Sequence, residues 1–194
     1  MSPPRPLEVL DDPFTVQWHL DDRCNQSCRH CYREGPLRPS LAPPLRRRLL
    51  EEVADFIAAR HRPGRIHFAG GEPLACPQLL ELAEAASERG LAFRVLSNGT
   101  LATPSLAQAL ARLHCHGVQV SLEGPEAVHD AIRGAGAFQQ ALRGSAHLRE
   151  AGVHVTFAAT LHRDNAAHLS ALADTAARHA DRLYVSRLVP MGRG

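Results

Sequence analysis

The chain contains no lysine: all 22 basic residues among its 194 are arginine. Schiff-base catalysis, the pyridoxal-phosphate linkage and the Walker A phosphate loop each need a lysine amine, so those classes are excluded. Long apolar runs are also missing, and none approaches the roughly 18 continuous apolar residues of a membrane span. We therefore expect no membrane association. The opening MSPPRPLEVLDD has neither an apolar h-region nor a small-residue cleavage site, which leaves the cytoplasm as the expected location. Charge imbalance is small, and a formal net charge of +2 gives no reason to expect a nucleic-acid partner. The run Arg46-Arg47-Arg48, followed by Glu51 and Glu52, reads as a solvated helix face with i,i+4 pairs.

What is present is ordinary for a folded chain, with 44% hydrophobic and 22% charged residues. The length suits one domain around one core. Strand-like apolar runs recur at 14–20, 65–70, 92–98, 117–123, 154–160 and 181–189. Helix-period segments lie between them at 45–60, 77–90, 104–114, 138–152 and 165–180. Gly90 and Gly152 suit helix C-caps, and Asn165 an N-cap. From the second strand onward the starts are 27, 25, 37 and 27 residues apart, close to the ~30 or more residues of a βα unit returning to a parallel sheet. Eight such units usually take about 250 residues, so the expected fold is α/β, a partial barrel of six parallel strands. In such folds the chemistry gathers at the C-terminal ends of the strands.

One gap is too long for a repeat. Between residues 14 and 65 lies a segment with Pro36, Pro39, Pro43 and Pro44, and three of the five cysteines stand at its start. Cys24, Cys28 and Cys31 form a C-x3-C-x2-C pattern. A disulfide leaves one thiol over and does not suit a reducing compartment. Metal binding is the better reading. A structural zinc ion would need a fourth ligand; His30 is available in principle, although it lies between two ligating positions. An iron–sulfur cube solves the count differently, because three thiolates hold three irons and leave the fourth open. Cys76 and Cys115 stand alone in the sequence and read as small, buried or half-buried residues.

With Cys24-x3-Cys28-x2-Cys31 after the first strand and Gly70-Gly71-Glu72-Pro73 after the second, the chain resembles the radical S-adenosylmethionine (SAM) superfamily. The resemblance runs from about residue 14 to 194. It implies a 4Fe-4S cluster on the three cysteines, whose open iron is chelated by the methionine end of SAM. It also implies reductive cleavage to a 5′-deoxyadenosyl radical that abstracts hydrogen from a substrate. Gly70, Gly71 and Glu72 would receive the methionine ammonium. The exits of strands three and four, with Asn98, Ser121 and Arg133, resemble the peptide- and protein-maturing branch that carries an auxiliary-cluster (SPASM-type) domain. The resemblance implies that Ser121 and Arg133 bind the SAM carboxylate and that Asn98 makes a polar cofactor contact. His30 would lie near the adenine and Tyr32 would pack beneath the loop. Many relatives have Asp where this chain has Glu123. A peptide or protein substrate and an external electron donor of flavodoxin or ferredoxin type are implied as partners. The expected organisation is an N-terminal extension over 1–13 and a core over 14–194, with no auxiliary-cluster domain after Pro190-Met191-Gly192-Arg193-Gly194. A different class of reading, a non-catalytic metal-binding module or a truncated fragment acting with a partner, predicts bound metal without SAM cleavage.

Overall fold

A computed structural model describes residues 13–33 and 35–193. The expectations for the N-terminal residues 1–12 and for Gly194 lie outside the described residues. The elements are β1 (Phe14–His19), α1 (Pro43–Ala58), β2 (Gly64–Ala69), α2 (Leu79–Glu88), β3 (Ala92–Ser97) and α3 (Pro104–Arg112). They continue as β4 (Val118–Ser121), α4 (Glu126–Arg133), α5 (Ala137–Glu150), β5 (Val155–Leu161), α6 (Leu169–His179) and β6 (Arg182–Arg187). The strands form one sheet in sequence order, and every neighbouring pair is parallel. β1 and β6 pair with one neighbour each, so the sheet is an open, curled half-barrel, as the spacing of the strands predicts.

Alternation along the strands separates two faces. Ile66, Phe68, Phe93, Val95, Val118, Val120 and Phe157 point to the helices and are almost wholly buried. Against them pack Leu82 of α2, Leu110 of α3, Leu148 of α5 and Leu172 of α6. The opposite, concave face carries mostly polar side chains.

Pro43 and Pro44 enter the first turn of α1, where a missing N–H costs nothing. Gly90 (φ +69°) and Gly152 (φ +82°) follow α2 and α5 in the left-handed conformation expected of C-caps. Three sequence expectations need correction. The 37-residue interval holds two helices rather than one: α4 is only 8 residues long, too short to register as a periodic pattern. Arg46 is not solvated. It is 2% exposed, and its guanidinium reaches Cys76 Sγ at 3.1 Å, Gln78 Oε1 at 3.1 Å and Asp21 Oδ2 at 3.3 Å. Only Arg47 and Arg48 make the expected i,i+4 pairs, with Glu51 and Glu52. Asn165 does not cap a helix with its side chain. It is buried, accepts from His162 N at 2.9 Å and donates to the carbonyls of Glu123 and Thr160.

Phe68 is fully buried between the rings of Trp18 and Phe93, at centroid distances of 6.3 and 6.0 Å. Phe68→Ala should therefore lower unfolding stability by about 3–5 kcal/mol, read as a shift in the urea midpoint at constant slope.

Candidate cofactor site at the strand rim

The site begins where β1 stops. Leu20 N bonds Ala69 O at 2.9 Å, so the β1–β2 ladder runs on past His19. The chain then turns through Asp21 and Asp22, and both carboxylates hold the turn. Asp21 accepts from Arg23 N at 2.8 Å, Ser40 Oγ at 2.7 Å and the buried Arg46. Asp22 accepts from the backbone and guanidinium of Arg38, which hold its carboxyl down at about 2. The β2 exit locks against the same loop, with Gly71 N donating to Asp21 O (2.7 Å) and Glu72 N to Arg23 O (2.8 Å). A Cβ at Gly70 or Gly71 would overlap the carbonyls of Asp21 and Arg23, and Gly70 has φ +131°. These two glycines are required for close backbone approach rather than for flexibility.

Cys24, Cys28 and Cys31 line one cavity of about 400 Å³, together with His30, Gly70, Gly71, Asn98, Ser121 and Arg133. Nine of the ten residues singled out from the sequence thus meet at one place, although they come from the cysteine loop, three strand exits and α4. The tenth, Glu72, is not in the lining. Its carboxylate is 2% exposed and accepts from Ser97 Oγ (2.7 Å), Asn98 N (2.7 Å) and Leu74 N (2.9 Å). Burial pushes this carboxyl up, against the pull of the three donors. Glu72 is a buried strut between the β2 and β3 exits. Asn98 also works within the protein: it donates to Asn25 Oδ1 at 2.9 Å and accepts from Thr100, pinning the β3 exit to the cysteine loop.

The residue that sequence reasoning undervalued is Glu123. Its side chain is 1% exposed at the end of β4. Oε1 accepts from Arg133 Nε at 3.0 Å and Nη2 at 2.5 Å and lies 3.4 Å from His30 Nε2, while Oε2 accepts from Thr160 N at 3.0 Å. One carboxylate therefore ties together β4, α4, β5 and the cysteine loop. Burial pushes Glu123 up, but the His30 hydrogen bond and the Arg133 charge outweigh it and hold the carboxyl at about 2. The remaining amine of Arg133, Nη1, faces Cys28 Sγ at 3.7 Å. His30 stacks on His162 with centroids 5.8 Å apart. A Glu followed ten residues later by an Arg carries no recognisable sequence signal, and only the short α4 brings the pair into contact.

Tyr32 does not pack beneath the loop. It is half exposed, donates to Gly70 O at 3.0 Å and stands 3.2 Å from His19 Nδ1, bridging the first two strand exits beside the cavity. The chain after β6 was also not foreseen as part of the site. Leu188, Val189 and Met191 line the cavity, and Arg193 donates from its backbone to Cys31 O (2.9 Å) and from its side chain to Ser27 Oγ (2.8 Å).

The donor set fits a multi-metal group better than a single ion. Among the described residues, no three His, Cys, Asp or Glu side chains close on one point, and His30 is committed to Glu123. The three cysteines instead share the lining of one cavity with no fourth ligand among the described residues, the count that suits three corners of a cluster. Burial pushes the Cys24 and Cys28 thiols up. A bound metal group inverts that preference and takes up thiolates.

The description "Radical SAM superfamily" matches residues 20–176. The chain belongs to this superfamily. Members use a 4Fe-4S cluster and SAM, the pair the cavity's donors suit. Mycofactocin maturase MftC of Mycobacterium tuberculosis is 34% identical over 187 residues, 95% of this chain and 47% of the relative. The AdoMet-dependent heme synthase of Nitratidesulfovibrio vulgaris is 33% identical over 189 residues, covering 92% and 49%. The chain thus spans about half the length of the curated relatives it matches. Among solved structures, anSMEcpe with bound AdoMet superimposes with a TM-score of 0.80 at 19% identity, over 92% of this chain and 52% of that one. Streptococcus suis SuiB bound to its precursor peptide SuiA gives 0.77 at 17% identity, over 91% and 40%. These two establish the shared radical SAM fold.

Replacing Glu123 tests the centre of the site. Glu123→Gln leaves the half-fork of a buried Arg133 without its counter-charge and should cost about 3–5 kcal/mol in chemical denaturation. The sign with pH follows from the shift. The carboxyl lies below its usual 4.5 in the folded chain, so its stabilisation is complete above that value and is lost as pH falls towards about 2. The acid limb of the stability profile should be shallower in the variant.

Proposed function

We propose that this chain is the catalytic core of a radical SAM enzyme that modifies a peptide or protein. It would cleave SAM reductively and use the 5′-deoxyadenosyl radical to abstract hydrogen from the substrate. The observation that carries the reading is the meeting of Cys24, Cys28 and Cys31 with the Gly70–Gly71 turn, Ser121 and Arg133 around one rim cavity. When bound, the cluster supplies the electron that breaks the sulfonium bond; the chain holds, orients and encloses.

In this reading the three cysteines ligate three irons and leave the fourth open. The Gly70–Gly71 backbone takes the methionine ammonium, for which carbonyl oxygens without a Cβ nearby are suited. Ser121 and the Nη1 of Arg133 take the methionine carboxylate, the planar fork being fixed by its other two nitrogens on Glu123. Glu72 keeps the second and third strand exits in place rather than binding directly, while Asn98, in the cavity lining, makes a polar contact to the cofactor and pins the third exit to the cysteine loop. His30, held by Glu123 and His162, offers a flat face towards the adenine. Leu188, Val189 and Met191 give the cavity an apolar side, which restricts water near a reactive radical.

The cytoplasm and an external electron donor of flavodoxin or ferredoxin type belong to the same reading. Five free cysteines suit a reducing compartment, and among the described residues no helix is long and apolar enough to cross a membrane. The likeness to the maturase MftC, and the fold shared with SuiB bound to its precursor peptide, support a peptide substrate. The heme synthase likeness at nearly equal identity supports a second reading, in which the substrate is a tetrapyrrole.

The test is anaerobic: reconstitute iron and sulfide, add SAM and a strong reductant, and quantify 5′-deoxyadenosine. The unaltered chain should release it and retain the cluster's visible absorption. A Cys24→Ala/Cys28→Ala/Cys31→Ala variant should show neither. A cluster-loaded chain that releases no 5′-deoxyadenosine would overturn the reading.

A further inference from the structure

The concave face of the half-barrel carries an unusual charge. Its inward positions are the ones that alternate with the buried Ile66, Phe68, Phe93 and Val95. On β2 and β3 they include Arg65, His67 and Arg94, with His67 and Arg94 register partners; on β6 they include Arg182. None of the inward strand positions is Asp or Glu.

Several arginines elsewhere in the chain find carboxylates. Arg23 and Arg46 share Asp21, Arg38 takes Asp22, Arg47 and Arg89 take Glu51, and Arg133 takes Glu123. Arg65, Arg94 and Arg182 have no such partner among the described residues. Arg65 Nε, His67 Nε2 and Arg94 Nε are buried with no hydrogen-bond acceptor. Burial and the charges of Arg65 and Arg182 all act to push the Arg94 guanidinium down. Nearby Cys115 supplies no counter-charge, because burial lifts its thiol to about 11. Arg65 and Arg94 are half-buried and Arg182 is exposed, and partial burial of an unpaired cation favours an anion that pairs with it.

Their position ties them to the site. His67 is the register partner of Gln17, which lines the cavity. Ala69 and Leu96, two residues further along β2 and β3, also line it. Arg94 therefore stands at the level of Gln17 in the cavity wall and Arg182 at that of the cavity-lining Gln119, while Arg65, two residues earlier on β2, lies about 7 Å further from the rim at about 3.3 Å per residue. The concave face thus has the cysteine loop at its rim and guanidinium groups further along its strands.

We propose that Arg65, Arg94 and Arg182 form a carboxylate-binding subsite that anchors an acidic group of the substrate at the barrel floor, leaving the reacting carbon near the cysteine rim. This rests on the radical SAM reading and adds the polarity in which substrate is held. Guanidinium suits the task because its planar fork matches a carboxylate with two parallel N–H···O bonds. The carboxylate can come from a peptide or from the acid side chains of a tetrapyrrole.

The experiment is anaerobic titration calorimetry of the cluster-loaded chain at constant ionic strength. Citrate is the first probe. The source arms are an acetylated tri-alanine as free acid and as amide, and coproporphyrin as free acid and as methyl ester. The unaltered chain should bind citrate, and prefer at least one acid over its neutral counterpart by about tenfold or more. Both effects should be lost in Arg65→Gln/Arg94→Gln. The exposed Arg182→Gln provides a second variant should the double one fail to fold. Whichever acid is preferred identifies the source. Citrate binding unaltered in the variants, equal binding of acid and neutral forms, or no binding of citrate and either acid would overturn the subsite. Release of 5′-deoxyadenosine by the unaltered chain reports separately on the radical reading.

Discussion

A sheet of six parallel strands has to send every strand's carboxyl end to the same rim, and the organisation of this protein follows from that constraint. Residues from the exits of β1 to β5, far apart in sequence, arrive together without any covalent link. The price is structural: each exit is an irregular turn with backbone groups that have left the ladder, and these must be paired again. The molecule does so by bonding one exit to the next. Leu20, Gly71 and Glu72 join the first exit to the second, Glu72 joins the second to the third, and Asn98 returns to the cysteine loop.

Two buried glutamates stand at the corners of this arrangement, and their environments differ. Glu72 meets neutral donors only, and burial dominates. Glu123 meets a guanidinium, an imidazole and a backbone amide, and charge dominates. Glu72 is therefore a strut between turns, whereas Glu123 fixes how a cation is presented beside Cys28. A carboxylate one methylene longer than Asp reaches Arg133, His30 and Thr160 at once.

The all-arginine composition has a use in this frame. Arg46 is buried with acceptors on three sides, Arg133 is divided between Glu123 and the cavity, and the floor of the barrel sets guanidinium groups close together. A planar cation with several donors can serve two partners at once, which a compact ammonium does less well.

The sequence by itself determined the class of fold, the six strands, the cysteine loop and the rim on which it sits. It did so because a two-residue strand period, helix-length intervals and clustered thiols are local signals that survive without coordinates. Gly70 and Gly71 were legible as a close-approach turn for the same reason. Tertiary structure decided the rest. Arg46 belongs to a tripeptide that looks solvated, yet one of the three turns inward because Asp21 and Cys76 lie within reach. Asn165 looks like a cap and bridges two strand exits. Glu72 looks like a ligand and is spent on its neighbours. The concave cations became visible only when strand register placed Arg65, Arg94 and Arg182 on one face. Each of these depends on contacts between segments tens of residues apart, and the pairing of a charge across such a distance leaves no periodic trace in a single chain.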